Sequence, residues 1–355
     1  MAPVVEQLRH TPGVEARVCV TAQHRQMLDQ VLSLFDIVPD FDLNVMEPNQ
    51  ALAPLTTAIF RGLDPVLEQF HPDWVLVQGD TTTVMAAALL AAYRHIRVGH
   101  VEAGLRTGDK GQPFPEEINR RVAGVLADLH FAPTTRARDN LLREGVPPNH
   151  IVVTGNPVID ALQAIAARPY DPATGPLAGI PFDRRIILVT AHRRENFGAP
   201  MEQIFTALRR LADRYRDDVA IVYPVHLNPN VRQPAERMLA DVPNITLLEP
   251  LDYLPMVHLL RRCTLVLTDS GGLQEEGPAL GKPVLVLRQV TERPEAIEAG
   301  TARLVGTDAD RIEAEVQRLL DDPAAYAAMA HAVNPFGDGH AAERIVEALL
   351  GSGQW

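Results

Sequence analysis

Ionisable and hydroxyl side chains recur where apolar runs stop. Asp80 follows WVLVQG, Glu102 follows RVGHV, His192 follows IILVTA, His226 follows IVYPV, and Asp269 and Ser270 follow LVLT. Each run reads as a short buried strand. Any one of these polar residues alone fits a cap or a loop, but together they point to a site. Glu116 and Arg120 stand four apart in PEEINR, so on a helix they share a face. An exposed ion pair is the plain reading of that spacing, and such pairs contribute little. The functional reading is a carboxylate steadied by a guanidinium. Asp80, Glu102 and Glu116 together suit acid–base work on a sugar ring, because proton removal from carbon needs a base tuned by its surroundings. His192-Arg193-Arg194 offers positive charge from the second half of the chain.

Asp269 and Ser270 lie in the most informative stretch, LVLTDSGGLQEEGPALGKPVLVLRQVTER, from Leu265 to Arg293. A strand over Leu265–Thr268, a Gly271-Gly272 turn, an amphipathic helix over Leu273–Leu280 and a strand over Val284–Leu287 form one unit. Glycines let backbone N–H groups approach a bulky anion, and the helix aims its positive end at the same place. Ser270 is expected at the N-cap. Glu276 is placed to reach sugar hydroxyls, and Arg288 or Arg293 to return a positive charge from the next strand end. The unit suits a nucleotide whose phosphates sit at the glycines. The bland alternative is a tight turn, with the acids of the first helical turn offsetting the dipole. Single glycine motifs are weak signals.

Strands and helices must carry these residues, and the chain alternates them. In the first half, strands are expected over Arg17–Thr21, Trp74–Gln78, Arg97–Val101 and Ile151–Thr154. Helices are expected over Met1–Arg9, Gln26–Phe35, Leu52–Phe70 (kinked or split at Pro65), Thr83–Tyr93, Pro115–Leu129, Thr135–Glu144 and Val158–Ala166. Arg168–Phe182 holds four prolines and two glycines and reads as an interdomain linker. After it, strands are expected over Ile186–Thr190, Ala220–Tyr223, Ile245–Leu248, Leu265–Thr268 and Val284–Leu287. The pattern predicts two doubly wound, Rossmann-like α/β domains, with the site in the cleft between them. The expected domains are residues 1–167 and 183–337, with a final helix over 338–351 returning to the first.

Length and composition bound the function. The 355 residues suffice for two ordinary domains, with 46% hydrophobic and 22% charged residues. A formal net charge of −12 argues against nucleic acid and anionic membrane partners. Cys19 and Cys263 both lie in apolar runs and read as reduced core thiols, which fits a cytoplasmic protein. The opening residues have no signal-peptide pattern, and the apolar helix Val84–Tyr93 is too short to span a bilayer. The histidines and cysteines have no metal-ligand spacing, and no GxGxxG follows a strand. No metal or nicotinamide cofactor is therefore expected.

The ordered motifs resemble one family. They are TAQHRQMLDQ (Thr21–Gln30), GDTTT (Gly79–Thr83), GHVEAGLRTGD (Gly99–Asp109), PEEINR (Pro115–Arg120), AHRREN (Ala191–Asn196), YPVHLNPN (Tyr223–Asn230), TDSGGLQEE (Thr268–Glu276), TERPEAIEAGT (Thr291–Thr301) and NPFGDGHAAERI (Asn334–Ile345). They look like the non-hydrolysing bacterial UDP-N-acetylglucosamine 2-epimerases, over essentially the whole chain. The resemblance implies a glycosyltransferase-B architecture and reversible conversion of UDP-GlcNAc to UDP-ManNAc without NAD or metal. It implies elimination of UDP, a 2-acetamidoglucal intermediate and re-addition. Carried over by position, Asp80, Glu102 and Glu116 are the acid–base candidates, and Arg120 supports them. His192 lies by the departing pyrophosphate. Ser270, Gly271 and Gly272 bind phosphate, Glu276 the ribose and Arg293 the nucleotide end. Leu251 and Met256 line the uracil pocket, Met256 replacing ring stacking with a thioether contact. Gln23 and Gln26 match a regulatory UDP-GlcNAc site, with Asn49 where some relatives carry a basic residue. A homodimer is also implied.

One departure stands out. Members of that family begin with a strand and a GTRPEAIK-type turn, which bring an Arg and a Lys to the substrate phosphates. The present sequence opens after them, so a misassigned start or an incomplete chain is expected. Three readings follow: the epimerase, a glycosyltransferase of the same architecture, and a UDP-sugar-binding protein without turnover. The three carboxylates favour the first.

Overall fold

The computed structural model describes residues 1–22, 25–47 and 50–351. It forms two α/β units, Met1–Ala161 with the stretch from Phe336 onward, and Leu162–Pro335. All strand pairs among the described residues are parallel.

The first unit has six strands, β1 (Cys19–Val20), β2 (Phe41–Asp42), β3 (Trp74–Gln78), β4 (Arg97–Val101), β5 (Leu129–Ala132) and β6 (Ile151–Val153). They form two sheets, β1-β2 and β3-β4-β5-β6. A groove of about 630 Å³ within this unit is lined by Cys19 and Thr21, by Leu63 and Leu67, and by Val75 and Val77 of β3. The helix over Leu52–Phe70 is uninterrupted rather than split at Pro65. Leu55, Ile59, Leu63 and Leu67 repeat every fourth residue and are all buried. That continuous stripe outweighs the one backbone hydrogen bond a proline removes. The helix over Thr82–Tyr93 is buried along most of its length and is capped by the Thr81 hydroxyl, which accepts from Val84 N–H. The final helix, Ala341–Gly351, is anchored by Asp160, whose carboxylate accepts from Ala342 N–H at 2.8 Å. Its Ala342, Ile345 and Leu349 pack with Val4, Val101, Leu129 and Phe131.

The second unit has one continuous six-stranded sheet. Its strands are β7 (Arg185–Thr190), β8 (Val219–Pro224), β9 (Ile245–Leu248), β10 (Leu265–Thr268), β11 (Val284–Val286) and β12 (Ala302–Leu304). The order is β12-β11-β10-β7-β8-β9, with β7 and β10 central. Every residue of β8 and β10 is buried, which explains their unbroken apolar runs. The Pro- and Gly-rich segment 168–182 belongs to this unit and buries Leu177 and Ile180.

Three strands depart from the sequence expectation. β2, β5 and β12 were not anticipated. β5 is the four-residue run LHFA directly after a helix, and its register with β4 pairs His100 with His130. Two histidines in a fully buried strand pair hide an apolar signal. No helix among the described residues is long and apolar enough to cross a membrane.

Candidate active site

The first unit gathers its candidates at the carboxyl ends of β3 and β4. Gly79 follows β3 with φ +81°, and its N–H donates to Val101 O at 3.1 Å. His100, fully buried in β4, donates from Nε2 to Gly79 O at 2.8 Å. Burial pushes the His100 imidazole down to about 4, so it stays a neutral donor. These two bonds fix the turn that presents Asp80. The Asp80 carboxylate pairs with Arg120 Nη2, and its backbone carbonyl accepts from buried Asn119 Nδ2 at 3.0 Å. Glu102, just past β4, has φ +62°, a conformation that costs a side-chain-bearing residue energy and gathers at functional sites. One Glu102 oxygen lies 3.6 Å from the point a Cβ on Gly79 would occupy. The other is 3.4 Å from Asn156 Nδ2. Glu116 opens the helix Glu116–Leu126, one turn before Arg120. Asp80 and Arg120 are thus brought together, with Glu102 lining the same groove as Asp80, while Glu116 is placed only by its position on the Arg120 helix.

The pairing differs from the expectation. Arg120 does not steady Glu116. It binds Asp80, and it reaches Glu117 at 3.3 Å. Glu117 is fully buried and accepts from Thr107 N–H at 3.1 Å, Gly108 N–H at 3.2 Å and Arg121 Nε at 3.2 Å. Glu117 thus ties the 107–108 loop to Arg120 and Arg121 of its own helix. No hydrogen bond or ion pair engages the Glu116 carboxylate among the described residues. Glu117 and Arg121 share the i, i+4 spacing of Glu116 and Arg120, so spacing alone does not choose between the two pairs.

The second unit gathers its candidates beyond β7, β8 and β10. Asp269 is fully buried after β10. Its Oδ2 accepts from His192 N–H at 2.8 Å, Arg193 N–H at 2.8 Å and Asn196 Nδ2 at 3.0 Å. His192 is partly exposed and stacks on His226, with ring centroids 5.5 Å apart and 11° between planes. Burial lowers the His192 pKa, and the Asp269 charge opposes that shift. Ser270 is not the helix N-cap as expected. The helix spans Leu273–Ala279 and its N-cap is Gly272. Ser270 N–H instead donates to Thr268 Oγ1 at 2.9 Å. Gly272 has φ −61°, ψ −44°, ordinary helical geometry open to any residue. The backbone therefore does not demand glycine at Gly272, although both glycines do lie in a turn closed by Gln274 N–H to Gly271 O at 3.2 Å. A Cβ on Gly271 would lie 4.0 Å from both Arg193 and Glu292. What the pair supplies is bare backbone at a helix start.

Glu276, at the end of the first turn of that helix, receives a 2.7 Å hydrogen bond from Tyr253 Oη. Burial, helped by the Glu275 charge, pushes its carboxyl up to about 7 against the opposing Tyr253 bond. Leu251 precedes the helix Tyr253–Arg262 that carries both Tyr253 and Met256. The sequence pattern puts this helix over Met256–Arg261 and leaves Tyr253 outside it, whereas the observed helix begins at Tyr253. Arg293 caps the helix Pro294–Glu298 and pairs with buried Glu275. Arg288 is held by Glu195 at 2.6 Å and Glu292 at 2.7 Å. Gln23, Asn49 and the side chain of Gln26 lie outside the described residues. Among the described residues no group of three or more His, Cys, Asp or Glu is placed to hold a metal ion.

Two parallel α/β units with polar groups massed at strand carboxyl ends define a Rossmann-like protein of glycosyltransferase-B architecture. The family model described as UDP-N-acetylglucosamine 2-epimerase matches residues 6–350, and the chain belongs to that family. It is 57% identical to the UDP-N-acetylglucosamine 2-epimerase of Escherichia coli K12, over 98% of this chain and 94% of that protein. It superposes on the UDP-GlcNAc 2-epimerase of Neisseria meningitidis bound to UDP-GlcNAc with a TM-score of 0.87 and 48% identity, covering 99% and 96% of the two chains. The Methanocaldococcus jannaschii enzyme in complex with UDP-GlcNAc and UDP matches at a TM-score of 0.78 and 32% identity, covering 99% and 96%.

Proposed function

We propose that this enzyme interconverts UDP-GlcNAc and UDP-ManNAc by inverting C2 of the sugar. The observation that carries the reading is the family match together with Asp80, bound by Arg120, and Glu102 at the ends of β3 and β4. A base removes the C2 proton, and the C–H electron pair forms the C1=C2 bond of 2-acetamidoglucal. The C1–O bond breaks, and its electrons leave with UDP. A proton then returns to C2 on the opposite face, and a UDP oxygen re-forms the bond to C1. Atoms and electrons balance without an oxidant, so no redox cofactor is called for.

Glu116 is the best-placed base, because its carboxylate has no competing partner among the described residues. Asp80, held by Arg120, and Glu102 supply the remaining acid–base and hydroxyl contacts. The second unit holds the leaving group. Gly271 and Gly272 offer backbone N–H groups to phosphate, with the Ser270 hydroxyl beside them. Protonated His192 gives positive charge to the departing pyrophosphate. Glu276 takes the ribose hydroxyls, Leu251 and Met256 flank the uracil, and Arg293 serves the nucleotide end through its Glu275-held guanidinium. A homodimer is the expected state, and sedimentation equilibrium of the protein checks it.

The test is an exchange experiment. UDP-GlcNAc incubated with the protein in deuterium oxide is expected to yield both sugars deuterated at C2, read by proton NMR. Turnover without C2 exchange, or UDP release that requires an added sugar acceptor, would overturn the reading.

A further inference from the structure

We propose that Asp269 is a positioning residue for His192, holding one tautomer of its imidazole and favouring the protonated ring. The argument begins with burial. A fully buried carboxylate needs compensation for the water it has lost. Asp269 Oδ2 has it, in the N–H groups of His192 and Arg193 and the side-chain amide of Asn196. Asn196 also donates to Leu287 O at 3.1 Å, which ties the loop after β7 to the end of β11. Asp269 Oδ1 has no hydrogen bond among the described residues, although it is equally buried. His192 Nδ1 lies 3.3 Å from it. A small rotation of the ring would convert that contact into an Nδ1–H···Oδ1 bond. The proton would then sit on Nδ1, and Nε2 would face outward to receive a second proton and hand it to an anion.

The surroundings leave Asp269 as the one group that favours the charged ring. His192 meets His226 in a parallel stack, and Arg193 is adjacent in sequence. Desolvation, His226 and Arg193 all oppose protonation, and Asp269 alone supports it. His226 has its Nδ1 engaged by Asn228 N–H at 3.1 Å, so it offers His192 a ring face and not a proton acceptor at that atom. Asp269 also directly precedes Ser270-Gly271-Gly272 in the chain. One carboxylate thus couples the histidine loop to the glycine turn, so both present to the same ligand in a fixed relation. This inference rests on the proposal that His192 meets the departing pyrophosphate.

The experiment uses the full chain with isotope-labelled histidine. His192 is assigned by the signal lost in His192→Gln, and its tautomer and titration are read from nitrogen-15 shifts. The wild-type ring is expected as the Nδ1–H tautomer when neutral. In Asp269→Asn the amide nitrogen faces the ring, so the Nε2–H tautomer and a lower pKa are expected. Because the protonated ring assists departure of UDP, kcat falls as pH rises through that pKa. The fall should begin at lower pH in Asp269→Asn, with kcat at pH 7.5 reduced roughly 10- to 100-fold and KM nearly unchanged. Asp269→Asn in the His192→Gln background should be no slower than His192→Gln alone. An Nε2–H tautomer in the wild type, which needs no variant to fold, overturns the proposal. So does a His192 titration unmoved in Asp269→Asn, or full additivity in the double variant. If His192→Gln leaves kcat intact, the pyrophosphate assignment fails, while the tautomer measurement still decides the Asp269–His192 coupling.

Discussion

Both α/β units carry polar residues at their strand ends but handle them differently. In the second unit the key carboxylates are bonded, buried Asp269 to three N–H donors and partly buried Glu276 to Tyr253. In the first, Asp80 keeps one strong partner and Glu116 has none among the described residues. The sheets match this contrast. The second unit has six strands in one ladder, whereas the first divides its strands into two and four, with a groove beside β3. Asp269 Oδ2 is fixed by three donors although its Oδ1 has none among the described residues, whereas no hydrogen bond or ion pair engages the Glu116 carboxylate among them. The proposed labour is divided by how firmly a carboxylate is held, not by residue type.

The largest effect should come from the open carboxylate. Glu116→Gln keeps the size and polarity of the side chain but removes the base. A kcat loss of roughly 10²- to 10⁴-fold is expected, with C2 deuterium exchange lost in parallel. UDP affinity, measured by calorimetry, should stay within twofold of wild type. A variant that exchanges C2 at the wild-type rate would break the contrast between the units, since an unpartnered Glu116 would then have no role in the chemistry.

The next effect tests Glu117, a fully buried and multiply bonded carboxylate of the first unit. Glu117→Leu would strand the N–H groups of Thr107 and Gly108 and leave Arg121 without its Glu117 contact. Removing one partner of a buried charge network costs about 3–5 kcal/mol. Urea denaturation should show that loss. Hydrogen exchange should localise it to the loop 103–114 and the helix Glu116–Leu126 and leave β7 to β12 protected. Loss of protection in the second unit instead would mean that the two halves are not energetically separate.

These residues also show how far the sequence could be read. The strand ends at Asp80, Glu102, His192 and Asp269 were legible, because apolar runs stop sharply there and buried parallel strands have no polar alternation to blur them. Partner choice was not legible. The spacing of Glu116 and Arg120 permits an ion pair, but the structure gives the guanidinium to Asp80 forty residues away and to Glu117. Spacing states which groups share a face and says nothing of what tertiary contacts outbid them. β5 was missed for a related reason, its buried histidine standing in a strand pair that propensity alone does not reveal. Ser270 does not cap the helix because its start at Leu273 puts Gly272, two residues beyond Ser270, at the N-cap position.

A pH measurement sharpens the other side of the comparison. Glu276 titrates at about 7 in the folded protein, against about 4.3 for an unfolded glutamate. Between those values the native state binds the extra proton, so stability falls as pH rises through that window and is lowest above about 7. The midpoint of thermal unfolding should drop by a few degrees from pH 6 to pH 8 in the wild type, and by less in Glu276→Gln. UDP binding should run the opposite way, strengthening toward pH 8 as the carboxylate ionises to accept ribose hydroxyls. An identical pH dependence in wild type and Glu276→Gln would remove Glu276 from both roles.

The smallest effect is the most specific. Tyr253→Phe deletes one hydroxyl and leaves the packing of the helix Tyr253–Arg262 in place. Glu276 then loses a charge-assisted hydrogen bond, whose contribution is about 1.5–3 kcal/mol in a buried setting, although a bound ribose or water can replace part of it. Because that bond favours the ionised carboxylate, its loss should raise the Glu276 pKa further. The pH at which UDP binding strengthens should move upward, with affinity at pH 7 reduced roughly tenfold and nearly recovered at pH 9. The C2 exchange rate at saturating substrate should not change, because the hydroxyl touches the holding half alone. A fall in kcat without a shift in the binding profile would show that Tyr253 acts outside nucleotide binding, and that saturation of Glu276 is not what orders this half of the site.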